Sequence, residues 1–453
     1  MSIKKVIENG YCVGCGACKL ELQESVSINL CDNGFYQAKL KAGVDPSSIA
    51  DKICPFSSSY LNETELGEKI YGDKQYEPKI GYYNQVYAGH VINHYNRNTS
   101  SSGGLTTWFA KKLLENKVVD GIVHVGQTKS MFGYIISYNI DELEDKKNKK
   151  SRYYPVSFSD LIAEINNNGK NYLFIGIPCF VKSIRLAQEQ GFVKNITYVF
   201  SLLCGHMKSA DFSKSLAWQL NVLPDDVRSV DFRVKVDGHK ANDYFIEVEN
   251  VSGIIAKGQS SSLFGTNWGL GFFKHKACDF CDDIAGELAD MTFGDAWLPQ
   301  FINDSQGTNI VISRNDYLDT LLVQYSDEIS IVSLKTEDFY NSQAGNYRHR
   351  REGLITRIDN ERGWVPQKRV EFSTQNISNQ RKKIYLQRSV LSRQSIRFFA
   401  ISKKINSFQF FKFMMSFSII KYEYFNSGIV GAIKEAIRLV TPKRMILLLK
   451  KIK

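Results

Sequence analysis

The hydrophobic and polar positions of this chain alternate between strand-like and helix-like periods from about residue 80 onward. Residues 85–92 (QVYAGHVI) and 118–125 (VVDGIVHV) have the short apolar pattern of strands. Between them, residues 105–116 (LTTWFAKKLLEN) repeat apolar side chains at the spacing of an amphipathic helix. Because strands that alternate with helices build sheets covered on both faces, this pattern predicts an α/β domain.

The same alternation continues through the middle of the chain. It predicts helices over 160–167 and 180–190 and strands over 171–177 and 196–203. A strand–helix–strand run of this kind places its two strands parallel in one sheet. Their carboxyl ends should then lie at the same edge, where such sheets bind their ligands.

From about residue 229 the pattern becomes antiparallel. Residues 230–236 and 244–250 flank an Asp-Gly turn, and Gly253 begins a third strand. Further strands are predicted over 291–297 and 308–313. We therefore expect a mixed α/β (α+β) fold, with helices on both faces of a central mixed sheet and an antiparallel insertion.

Cysteine content and charge divide the chain into three predicted domains. Residues 1–65 are cysteine-rich and suit a small ferredoxin-like module whose fold depends on its metal. Residues 80–375 form the main domain, with an N-terminal part over about 80–155 and a C-terminal part over about 156–330. Residues 376–453 form a basic helical tail.

The net charge of +11 belongs to this tail. From Arg381 onward the sequence has 17 Lys or Arg and two acids, a net of +15, so the first 380 residues carry −4. No run reaches the ~18 apolar residues that span a bilayer, and the N-terminus lacks the apolar core of a secretory signal. We expect a cytoplasmic protein whose nine cysteines stay reduced and serve metals or catalysis.

Four cysteines near the N-terminus have the spacing of a ferredoxin cluster. Cys12, Cys15 and Cys18 are separated by two residues each, and Cys54 precedes a proline. This arrangement is typical of the ligands of a 4Fe-4S cubane. Leu22 stands where a two-cluster ferredoxin has a further cysteine, so we expect one cluster. A zinc site made of the same thiols, and Cys31 as the fourth ligand in place of Cys54, are the alternatives.

A second cysteine set is dispersed along the chain. Cys179 and Cys204 each follow a predicted strand, and Cys278 and Cys281 form a Cys-x-x-Cys pair. If the two strands are neighbours, their ends lie only ~5 Å apart. We expect these four thiols to hold a second cluster. Zinc, with His206 or His275 as a substitute ligand, is the competing interpretation.

A serine- and glycine-rich loop leads into the helix that begins near Leu105. Its residues Ser101, Ser102, Gly103 and Gly104 can present amides and hydroxyls to an anion such as a flavin or nucleotide pyrophosphate. A loop that merely caps the helix is the alternative. The sequence has neither Gly-x-Gly-x-x-Gly nor a Walker loop, which argues against a nicotinamide Rossmann site and an ATPase.

These motifs together resemble the beta subunits of coenzyme F420 hydrogenases and dehydrogenases. The resemblance covers about residues 80–300 and runs through Ser101-Ser-Gly-Gly104, Gly176-Ile-Pro-Cys179, Leu203-Cys-Gly205, Cys278-x-x-Cys281 and Asp290-x-x-x-Gly294-Asp295-x-Trp297. Many members also have the N-terminal single-cluster module. Many bacterial relatives are components of exopolysaccharide or O-antigen loci.

The resemblance implies a flavoprotein with FAD beside iron–sulfur clusters. Residues 101–104 would hold the FAD phosphates, the dispersed cysteines would hold the inner cluster, and Asp295 with Trp297 would line the site. Ile177 and Phe180 depart from the family, in which a Thr and a Gln are common at these positions. This loss of polar groups leaves the identity of the acceptor open.

The leading functional hypothesis is an oxidoreductase. Electrons would pass from a ferredoxin-like donor through two 4Fe-4S clusters to FAD and on to a two-electron acceptor, with polysaccharide biosynthesis as one setting. A non-catalytic electron-transfer or docking subunit is the alternative, and a zinc-stabilised binding protein is a third. A homo-oligomer is compatible with each of them.

The tail suggests a further partner. Residues 396–405 and 408–420 mix aromatic and basic side chains, and 429–453 has helical periodicity. A basic amphipathic helix can lie on an anionic membrane, where each Lys or Arg contributes about 1 kcal/mol. Peripheral contact with the inner face of the cell membrane therefore competes with a helical appendage packed on the body. No recognised module supports nucleic-acid binding.

Overall fold

The computed structural model describes residues 3–46, 48–369 and 377–440. Its strands in chain order are β1 Val26–Leu30, β2 Tyr36–Leu40, β3 Gln75–Glu77, β4 Gly81–Tyr83, β5 Gln85–Val91, β6 Gly121–Thr128, β7 Met131–Ser137, β8 Tyr172–Gly176, β9 Ile196–Leu202, β10 Val227–Val234, β11 Phe245–Asn250, β12 Ile255–Gln259, β13 Met291–Asp295, β14 Asn309–Ser313 and β15 Ile329–Leu334.

Helices occupy the remaining regular segments of the described ranges. In chain order they are α1 Ile3–Glu8, α2 Lys19–Leu22, α3 Ser48–Ile53, α4 Glu63–Tyr71, α5 His94–Thr99, α6 Leu105–Glu115, α7 Ile140–Glu144, α8 Ile162–Asn167, α9 Pro178–Glu189, α10 Ala210–Gln219, α11 Asp316–Gln324, α12 Thr336–Tyr347, α13 Gly353–Asn360, α14 Asn379–Lys404 and α15 Phe408–Val440. Short 3₁₀ turns include Trp268–Leu270 and Lys276–Phe280, and Arg348–Glu352 is a π-helical turn.

The central sheet has eight strands in the order β15-β5-β14-β13-β9-β8-β6-β7. Strands β13, β9, β8 and β6 are parallel, whereas β14 and β7 run antiparallel to their neighbours. Consecutive residues of β9 face opposite layers: Val199 belongs to the core that contains α9, and Phe200 packs 6.3 Å from Phe109 of α6. The predicted mixed sheet with helices on both faces is confirmed.

The two edge strands of the central sheet differ from the expectation. Strands β7 and β15, at its two edges, were not predicted, because an edge strand needs a pairing partner more than a strong pattern of its own. The antiparallel insertion is present as the three-stranded sheet β10-β11-β12.

The N-terminal module packs directly on the main domain. Helix α3 contacts α9, and the carbonyl of Gly34, in the turn between β1 and β2, accepts a 2.9 Å hydrogen bond from the amide of Ala210 at the start of α10. A Cβ at Gly34 would lie 2.3 Å from the Ser209 hydroxyl oxygen. No side chain fits at Gly34, so the module packs closely against the start of α10.

The C-terminal helices continue the core. Helices α14 and α15 pack against each other, and Phe399 and Phe411 bury their rings against Phe273 of the main domain. Gly428 interrupts α15 with a φ of 69°. Among the described helices, none is long and apolar enough to cross a membrane. The predicted boundary at 375/376 and the end of the predicted helix over 429–453 lie outside the described residues.

A buried ion pair fixes the junction of β9 and β13. The carboxylate of Asp290 accepts hydrogen bonds from Arg185 of α9 at 2.9 Å, from the Tyr71 hydroxyl at 3.1 Å and from the amide of Val199 at 2.7 Å. Both charged side chains are about nine-tenths buried. One carboxylate therefore joins α4, α9 and β9 beneath the sheet edge that ends in cysteines.

Replacing this carboxylate should destabilise the protein strongly. We expect Asp290→Ala to lower the free energy of unfolding by about 3–5 kcal/mol, because Arg185 would remain buried without its counter-charge. Chemical denaturation measures the change. Asp225→Ala is the matched control, since Asp225 forms an exposed ion pair with Lys214 and should cost less than about 1 kcal/mol. Equal losses in the two variants would contradict the assignment.

Candidate functional site

The first cysteine set lies on a tight loop between α1 and α2. Gly14 and Gly16 have φ values of 66° and 100°, and a Cβ on Gly14 would lie 2.4 Å from Cβ of Tyr36. Such backbone is accessible only to glycine at these contacts. Cys12 in this loop accepts a hydrogen bond from the amide of Ala38 at 3.3 Å from its Sγ. The loop thus wraps its thiols against the β1–β2 hairpin.

Cys54, which follows α3, joins the same group. Burial and then the charges of Cys15 and Cys12 raise the pKa of Cys54 to about 12. The pKa of Cys18 is raised by burial and by Cys15, Cys12 and Cys54. Cys12 and Cys54 also pack against both of the core clusters that contain Cys15 and Cys18, so the four thiols form one group.

Cys31 occupies a more open position. Its thiol lies 3.7 Å from the carbonyl oxygen of Asn29, and its charge contributes to the raised pKa of Cys12. The structure thus places Cys31 beside one member of the first set and Cys54 among three.

The dispersed cysteines converge at the carboxyl edge of the sheet. Strands β8 and β9 pair in parallel, with Gly176 opposite Ser201, so Cys179 and Cys204 follow the same edge. Burial and then the charges of Cys281, Cys204 and Cys278 raise the pKa of Cys179. The 3₁₀ turn Lys276–Phe280 brings the Cys-x-x-Cys pair to this edge. The amide of Met207 donates to Sγ of Cys278 at 3.3 Å.

Arg350 connects the strands of this second set. Its guanidinium donates to the carbonyls of Cys281 at 2.7 Å, Cys204 at 3.0 Å, Gly205 at 2.8 Å and Asp283 at 3.0 Å. Its positive charge opposes the rise in the pKa of the Cys204 and Cys278 thiols. Sequence reasoning missed Arg350, because it lies about seventy residues from the nearest cysteine and no spacing rule links them.

The two cysteine sets are neighbours in one core. Cys15, Cys278 and Cys281 lie in one core cluster, Cys179 packs against it, and the charge of Cys15 contributes to the raised pKa of Cys179. The Tyr134 hydroxyl lies by both, and burial with these two charges raises its pKa. Phe180 and Ile184 of α9 belong to the same core cluster as Cys15. A path through packed side chains therefore joins the module to the main domain.

The donor chemistry of both sets suits iron–sulfur clusters. Four buried or half-buried thiols in each group, with backbone amides directed at sulfur, are features of cubane sites. Of the histidines considered as zinc ligands, His275 accepts from the amide of Ala277, and the His206 ring packs in a tilted arrangement 4.5 Å from the Trp268 ring.

A cavity of about 1060 Å³ adjoins the second cysteine set. Its wall includes Cys204 and Cys278, and also the loop residues Ser101, Ser102 and Gly104. Gly103 is packed behind the loop, where a Cβ would lie 2.6 Å from the carbonyl oxygen of Gly89. The predicted loop and the inner cysteines thus share one cavity large enough for a cofactor.

Some of the donors expected to bind an anion are already used in hydrogen bonds within the protein. The first amide of α6, at Leu105, already donates to Oδ1 of Asn309 at 3.0 Å, and the Ser102 hydroxyl donates to the carbonyl of Thr308. The Ser101 hydroxyl accepts from the amide of Ser151 at 2.7 Å and keeps its proton for a ligand. The hydroxyl of Ser101 is therefore better placed to meet an anion than the helix amide.

Basic side chains near the serine loop provide positive charge for binding an anion. The cavity wall near the loop includes Lys149, Lys150, Arg152 and Arg233. The Asp295 carboxylate holds Arg233 in two hydrogen bonds of 3.0 and 3.1 Å. Asp295 thus orients a cation toward the cavity. Sequence reasoning missed these cations, although the run Lys146–Arg152 is visible as a basic segment.

One part of the cavity wall is apolar. Ile177 and Phe180, the two departures from the family pattern, both line the cavity. The cavity therefore lacks the hydroxyl and amide that many relatives have at these positions.

Comparison with known proteins agrees with this architecture. Two family models match the chain, and both describe the beta subunit of "Coenzyme F420 hydrogenase/dehydrogenase". Residues 86–163 match the model of its N-terminal domain, and residues 169–338 match the model of its C-terminal domain. Together these matches cover more than half of the chain.

Two individual proteins are also similar to this chain, both at low sequence identity. The chain is 22% identical over 320 residues to the "Coenzyme F420-dependent sulfite reductase" of Methanocaldococcus jannaschii, covering 64% of this chain and 43% of that protein. The chain thus spans less than half the length of this curated relative. A chain of the F420-reducing [NiFe] hydrogenase complex from Methanosarcina barkeri superposes with a TM-score of 0.48 and 16% identity, over 64% of this chain and 99% of that one. On the two family matches, this protein belongs to the coenzyme F420 hydrogenase/dehydrogenase beta subunit family.

Proposed function

We propose that the protein is an iron–sulfur flavoprotein oxidoreductase. It would take electrons from a ferredoxin-like donor through two 4Fe-4S clusters to FAD and on to a two-electron acceptor. The observation that carries this proposal is the shared cavity, whose wall contains both the serine loop and the cysteines Cys204 and Cys278. A cofactor in that cavity would lie against the inner cluster.

Each cysteine set would hold one cluster. Cys12, Cys15, Cys18 and Cys54 would be the ligands nearest the donor, since they belong to the N-terminal module. Cys179, Cys204, Cys278 and Cys281 would be the inner ligands, with Arg350 balancing their negative charge. The proximity of Cys15 to Cys179 supports electron transfer between the two.

The basic end of the cavity would hold the FAD pyrophosphate. Ser101 would donate its hydroxyl proton, and Lys149, Lys150, Arg152 and Arg233 would neutralise the phosphates. When bound, a flavin exchanges electrons singly with clusters and in pairs with an acceptor. Polysaccharide biosynthesis stays the proposed setting, on the resemblance of the sequence to relatives from such loci.

Metal and flavin analysis after anaerobic purification tests the two-cluster proposal. We expect about eight irons and one flavin per chain. Cys15→Ser and Cys179→Ser should each reduce iron to about four, because each removes a ligand of a different cluster. Cys31→Ser is the control and should keep the full iron content. Zinc in place of iron, or iron without flavin and turnover, would contradict the proposal and favour a binding protein or an electron carrier.

The serine loop can be tested separately. Gly104 has a φ of 89°, and a Cβ there would lie 3.0 Å from Cγ2 of Val91. We expect Gly104→Ala to lower the flavin content severalfold while the iron content is kept, since the loop would shift away from the cavity. Gly169→Ala is the matched control, because Gly169 also has a positive φ but has open space around it. Equal flavin loss in both variants would contradict the assignment of the loop to the flavin site.

We further propose that α15 contacts an anionic membrane surface. Phe413 and Phe417 are 61% and 59% exposed, and their rings meet edge to face at 5.1 Å. Tyr424 is exposed further along the same helix. Lys421 and Lys434 are exposed on the same helix. Adjacent aromatic and basic side chains suit an interface of apolar chains and anionic headgroups. A homo-oligomer joined through this face is the alternative partner.

Vesicle flotation tests this contact. We expect binding to phosphatidylserine-containing vesicles but little to neutral ones, and the pair Phe413→Ser and Phe417→Ser should weaken it about tenfold or more, because two aromatic side chains leave the interface. Val323→Ser, on α11, is the control for an equally exposed apolar residue. Unchanged vesicle binding by the double variant would contradict the proposal, and dimers in light scattering would indicate self-association.

A further inference from the structure

A second group of basic side chains lines the cavity around Trp268, which Tyr153 and Arg233 separate from Ser101 of the serine loop. Burial lowers the pKa of one member, His206. The members of this group are all buried: His206, Lys208, Lys274, Arg357 and Arg388. They come from four separate parts of the chain. Arg357 and Arg388 lie beyond residue 338, where the family match ends.

Trp268 organises this group. The centres of its ring and the His206 ring lie 4.5 Å apart in a tilted arrangement, and the ammonium of Lys208 lies 4.6 Å from the centre of the Trp268 ring. Its carbonyl accepts a 3.1 Å hydrogen bond from Arg388. The cations are therefore fixed relative to one another by contacts with one residue.

Negative charge does not balance this part of the cavity. Asp279 is its one acidic lining residue, and it pairs with Lys274 and with Arg357. In the described part of the chain, Lys208 and Arg388 form no ion pair. The Lys208 ammonium donates to the carbonyl of Phe272 at 2.6 Å, and burial lowers its pKa, whereas the Arg388 guanidinium stays charged. A buried guanidinium without a counter-charge is costly, so the arrangement favours a bound anion.

Unused hydrogen-bonding atoms lie in the same place. Nε2 of His206, Nη1 of Arg357 and Nε of Arg388 are buried and have no hydrogen-bond partner. Buried polar atoms are normally paired, and several orphans around one space indicate a missing ligand. Guanidinium groups in particular match the oxygens of phosphates and carboxylates.

Compensation of the inner cluster accounts for only part of this charge. Arg350 already contacts the cysteine segments, and Lys208 responds to the charge of Cys278. Arg388 instead donates to the carbonyl of Trp268 at 3.1 Å and lines the cavity there.

We propose that His206, Lys208, Arg357 and Arg388 form a binding site for an oxyanion group of phosphate type on the protein's second substrate. The site rests on the proposed function in one respect: the flavin phosphates are assigned to the serine loop. An acceptor or donor held here by its anionic group would lie between α14 and the inner cysteines. Helix α14, which contains Arg388, would then select substrates by charge.

Binding of inorganic phosphate to the purified holoprotein tests this site. Equilibrium dialysis should show one saturable phosphate per chain with flavin bound, and Arg388→Gln should weaken it about tenfold or more, since a charge-assisted contact is lost. Arg388→Lys keeps the charge and should retain part of the affinity. Arg397→Gln is the matched control, because Arg397 is exposed on the same helix. Absent binding, or equal weakening by both glutamine variants, would overturn the site.

Flavin and iron contents of the same samples separate this site from the proposed function. Arg388→Gln should keep both at wild-type levels. A parallel loss of flavin would assign the cations to the flavin site, and a loss of iron would assign them to the cluster; either result would overturn the inference and leave the oxidoreductase proposal standing. Wild-type protein without iron or flavin would contradict the proposed function, whereas saturable phosphate binding by that protein would still support the site. If Arg388→Gln does not fold, the Arg388→Lys and Arg397→Gln pair gives the comparison.

Discussion

The parallel pairing of β8 and β9 is the constraint on which the rest of the structure depends. Because the two strands run in the same direction and in register, Cys179 and Cys204 leave the sheet at one edge. Asp290 holds this edge from below by joining α9 to β9, and Arg350 holds it from above through the cysteine carbonyls. The cavity opens directly beside it.

Buried charge explains much of what surrounds that edge. The thiols of the second cysteine set, Asp279 and Asp295 are accompanied by guanidinium or ammonium groups, since an uncompensated charge in this interior would be costly. Around the serine loop and around Trp268, basic side chains outnumber acidic ones in the cavity wall. The proposed flavin phosphates and the proposed oxyanion would balance this excess of positive charge.

The C-terminal region has a double role in this arrangement. The sequence presents it as a basic tail, set apart by its charge from a mildly acidic body. In the structure α14 is built into the core, and its Arg388 reaches the cavity wall. Helix α15 buries Phe411 and Met415 and exposes Phe413 and Phe417, so one helix serves both the core and an outer surface.

The sequence by itself determined the alternation of strands and helices, the parallel unit around α9 and the grouping of cysteines, because periodicity and ligand spacing are local properties. The edge strands β7 and β15 were not predicted, since their pairing depends on the neighbouring strands. Only the tertiary structure could bring Arg350, Arg233 and Arg388 to the cysteines and the cavity. Charged residues that compensate one another can be far apart in sequence, so no motif reveals them, whereas a cluster-binding loop has a regular cysteine spacing.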